Sequence, residues 1–311
     1  MEHYVTLFDS LFLPQGIALH SSMERHIEDF VLWILCVDDE SYGILDKLKL
    51  SNVRLLRLSG FETEELINLR QSRSKGEYCW TLTPFAPRFV FEEDKSVSRI
   101  TYLDADLWFR KNPAPIFNEF DASGRHILIT DHSYSPEYDQ SAESGQYCVQ
   151  FMVFTRLGEN IRKYWEECCV DWCHARYEDG KFGDQKYLDE WPTRYPDQIH
   201  ILSNKELALA PWNATRFPYG NCIFWHFQEL RIVGSHSVDI GEIYTIPSVV
   251  IKNIYEPYMS DLRSAAIKLK NCGYEFRFQK NKHSLLRRAK GSISYLLCRA
   301  RNLSPRGILK F

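Results

Sequence analysis

Between Arg99 and Phe109 the chain reads Arg-Ile-Thr-Tyr-Leu-Asp-Ala-Asp-Leu-Trp-Phe. An apolar, β-branched run ends in two carboxylates, Asp104 and Asp106, one residue apart. Side chains at i and i+2 of an extended chain project to the same side, so this pair can converge on one cation. Buried like charges repel, and a bound divalent metal is the usual reason to tolerate them. His226 stands in Phe224-Trp225-His226-Phe227. A histidine among aromatics is often a satisfied core residue, but an imidazole also completes a two-carboxylate site for Mn²⁺ or Mg²⁺.

Three further groups carry polar chemistry. Arg231, five residues after His226, could meet a phosphate. Trp212-Asn213 is an aromatic–amide pair of the sort that stacks on and hydrogen-bonds a sugar; Asn213-Ala214-Thr215 also matches a glycosylation sequon. Asp184-Gln185 follows Gly183, where an aspartate can cap a helix. Cys168, Cys169 and Cys173 lie on one predicted helix. Adjacent cysteines there point about 100° apart, so buried thiols are favoured over a zinc site.

The elements that must position these groups alternate. Residues 4–8, 30–37, 53–58, 100–103, 126–130 and 151–154 read as strands. Residues 17–26, 41–50, 63–73 and 158–176 read as helices. The near-continuous apolar run 30–37 suits a strand buried on both faces. This pattern predicts an α/β fold with a mostly parallel sheet flanked by helices. Ligands of such folds bind beyond the carboxyl ends of the strands, where Asp9, Asp38 and Asp104 fall.

The 311 residues suffice for a large core, and the net charge of −3 hides an asymmetry. Residues 262–311 carry 13 Lys and Arg against one Glu, whereas residues 1–261 carry 25 against 40. This divides the chain into a body over 1–260 and a basic stretch over 261–311. Within that stretch, Leu285, Leu286, Ala289, Ile293, Leu296, Leu297 and Ala300 form one helical stripe. Arg287, Arg288, Lys290, Arg299 and Arg301 lie off it. Such a basic amphipathic helix suits an anionic membrane surface, or packs on the body with a solvated face. No nucleic-acid-binding module accompanies the charge. The N-terminus does not read as a signal peptide, no apolar run is long enough to span a bilayer, and nine cysteines fit reduced thiols. A cytoplasmic protein is expected, peripheral on the cytoplasmic face of the inner membrane if the basic stretch docks there.

From about Tyr4 to about Arg231 the chain resembles the bacterial GT-A glycosyltransferases of the family 8 type. These transfer sugars from UDP-sugars during lipopolysaccharide or capsule assembly. The motifs appear in the family's order: Leu7-Phe8-Asp9 with Leu13-Pro14-Gln15-Gly16, Ala86-Pro87-Arg88-Phe89, Tyr102-Leu103-Asp104-Ala105-Asp106, Asp184-Gln185 and His226-Phe227. The resemblance implies a GT-A nucleotide-diphospho-sugar transferase fold, a UDP-sugar donor, a saccharide or lipid-linked saccharide acceptor, and retention of anomeric configuration. It further implies that Asp9 contacts the uridine, that Asp104, Asp106 and His226 hold Mn²⁺, and that Arg88 lies beside the donor sugar. Asp184 would hydrogen-bond that sugar, and Gln185 would face the reacting carbon. The chain departs from the pattern at Cys148 and Gln150, which replace Asn and Gly. It departs again at Lys186, where a second Asp is usual, and at Gln228-Glu229-Leu230-Arg231 after the histidine. Two other readings remain open at this stage: a sugar-nucleotide nucleotidyltransferase, and a non-catalytic UDP-binding or membrane-docking protein. The first lacks its glycine-rich basic loop here, since residues 9–16 hold one glycine and no Lys or Arg.

Overall fold

The computed structural model describes residues 1–235, 237–275, 277–278 and 307–310. The described strands are β1 (Glu2–Phe8), β2 (Phe30–Cys36), β3 (Val53–Arg57), β4 (Arg99–Leu103), β5 (Leu107–Phe109), β6 (Ile127–Asp131), β7 (Tyr147–Thr155), β8 (Ile199–Ile201), β9 (Ala208–Leu209), β10 (Phe224–His226), β11 (Arg231–Gly234), β12 (Ser237–Asp239) and β13 (Ile308–Lys310). Seven of them form one sheet in the order β3-β2-β1-β4-β7-β6-β8. The β2/β3, β1/β2, β1/β4 and β6/β8 pairs are parallel, and β7 runs antiparallel to both β4 and β6. The sheet is therefore mixed and mostly parallel, as the alternation of elements predicts.

Both faces of the sheet are buried, which is why its central strands are mostly apolar. Along β1, Tyr4 and Phe8 join one layer, while Val5 and Leu7 join the other. The first layer is closed by the helices Leu13–His26, Asp39–Leu48 and Ala114–Ser123 through Ile17, Met23, Ile44, Leu45, Ile116 and Phe120. The second is closed by Glu64–Ser72, Lys75–Leu82, Phe85–Glu93 and Glu159–Asp171 through Leu66, Leu82, Phe89, Ile161 and Trp165. Gly16 lies where a Cβ would run into the Phe8 ring, so the glycine lets the first helix close onto β1.

The Glu159–Asp171 helix stops short of the expected end at 176. Trp172 is extended, and Glu77 accepts hydrogen bonds from the Ala175 N–H and His174 Nδ1, pulling the chain toward the Lys75–Leu82 helix. Cys169 and Cys173 are buried there, and the eight described cysteines are all free.

A third apolar cluster, with Trp225, Phe227, Ile232, Val238, Tyr258 and Leu262, packs beside the sheet. Its helix, Glu256–Asn271, lies against Leu13–His26, and Trp108 Nε1 donates to Asp261 at 2.7 Å. The expected body boundary at 260/261 thus falls inside a helix, because Tyr258, Met259 and Leu262 bury one continuous face. β13 pairs antiparallel with β12, and Leu309 is wholly buried. The described ends of the basic stretch therefore both pack on the body; its predicted helix over 285–300 lies outside the described residues. Among the described residues, no helix is long and apolar enough to cross a membrane.

Leu309→Ala is expected to lower unfolding stability by about 2–5 kcal/mol, as a buried leucine removed from a core does. Urea denaturation of the full chain reads this. An unchanged midpoint would mean that the chain end does not dock on β12.

Candidate active site

A cleft of about 570 Å³ opens beyond the carboxyl ends of β1 and β4. Asp104 and Asp106 line it, together with Asp9, Asp184, Gln185, Trp212 and His226. The Asp-x-Asp is not extended, as expected, but lies in a turn between β4 and β5. The Asp104 carbonyl accepts from Leu107 N–H at 3.1 Å, so the chain folds back and brings the two carboxylates together. Antiparallel pairing of β5 with β10 sets His226 opposite Leu107, and Phe227 N–H donates to the Asp106 carbonyl at 3.0 Å. His226 Nε2 consequently stands 3.2 Å from an Asp106 oxygen and 3.6 Å from an Asp104 oxygen. One ligand atom from each residue lies within 4.8 Å of the others, the one such three-residue cluster found among the described residues.

The surroundings hold these groups in place. Tyr102 Oη donates to Asp104 at 3.0 Å, and Asp104 N–H donates to the Gln150 carbonyl on β7 at 3.0 Å. The Trp212 ring stands perpendicular to the His226 ring at 5.4 Å, and Trp212 Nε1 is tied to the His132 carbonyl. Burial pushes the Asp104 carboxyl up to about 6, with His226 opposing the shift and Asp106 adding to it. Burial disfavours a charged His226, yet the charge of Asp106 and hydrogen bonds from the imidazole to Asp106 and to the Cys148 sulfur leave its pKa well above the ordinary imidazole range. Two carboxylates and an imidazole that converge this closely form a donor set suited to a hard or borderline divalent cation.

Asp184 does not cap a helix. It precedes the 3₁₀ segment Gln185–Glu190 but makes no side-chain cap bond. Its side chain is buried at the cleft wall, and Oδ2 has no protein partner. Burial, reinforced by the nearby Asp104 charge, pushes this carboxyl up to about 7. Gln185 Nε2 donates to the Ser144 carbonyl at 2.7 Å, which fixes the amide at the wall. Lys186 is turned away to the Ser141 carbonyl and Asp189, so the departure at this position clamps the 141–146 loop. Asp9 caps the turn after β1 through Leu11 N–H. Its second oxygen lies 3.8 Å from Lys75 Nζ across the cleft mouth, and burial raises its pKa against the pull of Lys75. Asp38 instead ties Ser10 to the start of the Asp39–Leu48 helix.

Three expected site residues stand elsewhere. Arg88 does not line the cleft. Its guanidinium pairs with Glu166 at 3.2 Å and Glu92 at 3.3 Å and covers the Phe85 and Phe89 rings, because its helix turns that face onto Glu159–Asp171. Arg231 lies in β11 opposite Asp239, outside the lining. Asn213 is wholly buried: its amide donates to the His132 carbonyl and accepts from Ala210 N–H, so it braces the loop that carries Trp212. His132 and Tyr134 were not singled out by sequence. They stack 4.7 Å apart, line the cleft, and leave burial to drive the His132 imidazole down to about 4.

Because the folded-state pKa of Asp184 lies above its unfolded value of about 4, the folded chain keeps a proton that the unfolded chain has lost. Stability should therefore fall as pH rises from about 4 to 7. In EDTA, Asp184→Asn is expected to gain on the order of 3 kcal/mol over the parent at pH 8 and far less at pH 5. Urea midpoints at both pH values read this; an equal change at both would sink the argument.

No family model matches the chain. The Bacillus subtilis protein YfnF, described as uncharacterized, is 29% identical over 278 residues, covering 83% of this chain and 91% of YfnF. Mouse xyloside xylosyltransferase 1 in its apo form matches at a TM-score of 0.50 and 17% identity, over 73% of this chain and 97% of that one. The apo glycosyltransferase GlyE of Streptococcus pneumoniae matches at a TM-score of 0.52 and 13% identity, over 87% of this chain and 62% of that one. With its mixed, mostly parallel sheet and flanking helices, the chain has the GT-A glycosyltransferase fold.

Proposed function

We propose that the protein is a metal-dependent glycosyltransferase that moves a sugar from a UDP-sugar to a saccharide acceptor. One observation carries the reading: Asp104, Asp106 and His226 converge at the end of the central strands, with Asp184 and Gln185 on the same cleft. Mn²⁺ or Mg²⁺ bound there would neutralise the charge that develops on the departing diphosphate. The chain's own residues do the rest. Asp9 and Lys75 flank the mouth where a nucleoside would enter. The unpartnered Asp184 oxygen would take a sugar hydroxyl, since a buried carboxylate oxygen without a partner is otherwise costly. Gln185, held by Ser144, faces the cleft beside it, and Trp212 keeps the His226 ring upright. With Arg88 and Arg231 turned elsewhere, Lys75 is the one Lys or Arg among the described lining residues. The cation then bears most of the diphosphate's charge.

Retention of configuration is proposed from the resemblance to the family 8 enzymes, as is a place in lipopolysaccharide or capsule assembly. The basic stretch supports a lipid-linked acceptor, because it would bring a cytoplasmic enzyme to an anionic membrane surface as a peripheral protein.

The deciding experiment is UDP release across a panel of UDP-sugars with Mn²⁺ and with EDTA. Turnover of one donor that EDTA abolishes is the expected result, and Asp106→Asn should reduce it at least about 100-fold. Neither turnover nor UDP binding would refute the nucleotide-sugar reading, and pyrophosphate release from UTP and a sugar phosphate would favour nucleotidyl transfer. In sedimentation, the full chain should pellet with vesicles rich in anionic lipid and stay in solution with neutral ones. Equal recovery in both supernatants would remove the membrane proposal.

A further inference from the structure

We infer that Gln150 is a positioning residue that pre-sets the metal-ligating form of His226. The inference rests on the metal reading of Asp104, Asp106 and His226. Gln150 is wholly buried at the centre of β7, directly beneath that cluster. Its two polar ends act on two different ligands. The backbone carbonyl accepts from Asp104 N–H at 3.0 Å, and the side-chain Oε1 lies 3.0 Å from His226 Nδ1. An amide oxygen can only accept, so Nδ1 must carry the proton. In a neutral ring Nε2 then presents its lone pair, and Nε2 is the atom that stands between Asp106 and Asp104. A ligating histidine is usually oriented in this way by an acceptor on its far nitrogen.

Burial makes the arrangement specific. Gln150 Nε2 has no protein partner, so the side chain bears an unmet donor at its site. Oε1 is the side-chain atom that meets His226, and an apolar residue would take this acceptor away from Nδ1 in the same buried space. The resemblance places glycine at this position, and a glycine has no side chain to reach the imidazole. In this chain, the departure from the family pattern supplies the acceptor.

The test titrates Mn²⁺ into the full chain with saturating UDP and follows free Mn²⁺ by electron paramagnetic resonance. Gln150→Leu, close in volume but without an acceptor, is expected to weaken binding roughly 10–100-fold. Gln150→Glu, which keeps an acceptor oxygen, is expected to stay within about threefold of the parent; that rescue is what a merely space-filling role would not produce. Gln150→Leu at parental affinity overturns the inference, as does Gln150→Glu weakened as far as Gln150→Leu. A second measurement needs no variant to fold. In the parent loaded with Mg²⁺, long-range ¹H–¹⁵N couplings should show His226 protonated at Nδ1, and protonation at Nε2 overturns the inference. A parent chain that binds no Mn²⁺ at all overturns the metal reading itself, which separates that failure from the failure of Gln150.

Discussion

Asp104, Asp106 and Asp184 face one buried cleft, and their mutual repulsion is the constraint around which the site is built. Carboxylates removed from water cost several kcal/mol each unless something compensates them. Tyr102, His226 and the backbone of β7 compensate in part, and the raised pKa values of Asp104 and Asp184 show what remains. A chain keeps such a liability where a cation or a substrate hydroxyl relieves it. The antiparallel insertion of β7 between β4 and β6 belongs to the same solution. It sets Gln150 against Asp104 and lets one strand hold two members of the cluster.

The walls of the cleft are held rigidly from behind. Gln185, Lys186 and Asp189 fasten the loop ahead of β7, through the carbonyls of Ser144 and Ser141 and the N–H of Gln146. Asn213 and Trp212 both bond the His132 carbonyl, so the loop behind His226 and the strand end of β6 form one unit. Lys186, where the resemblance implies an aspartate, thus acts as a brace. A brace can change in type as long as its bond is made somehow.

The unexpected position of Arg88 follows from the same division of labour. Its helix must bury Phe85, Phe89 and Val90 against the sheet, and the remaining face meets Glu166 and Glu92. Arg162 already bonds Glu166, so the pair of arginines and the buried glutamate form a network between two helices. That network, and not the cleft, holds the Arg88 guanidinium.

By itself the sequence determined six of the seven strands of the main sheet, four of the helices that flank it and the place of Asp104, Asp106 and Asp9 at strand ends. Those follow from local periodicity and from where apolar runs stop, both of which are written in neighbouring residues. It did not determine that the Asp-x-Asp bends into a turn, that Asp184 leaves its cap unmade, or that the chain end returns to β12. Only the resemblance grouped His226 with Asp106, since 120 residues separate them in the chain and the pairing of β5 with β10 brings them within 3.2 Å. Arg88 and Asn213 mark the same limit. A polar side chain's type states what it can bond, but its partner is chosen by the packing of elements distant in sequence, and tertiary structure alone decides that.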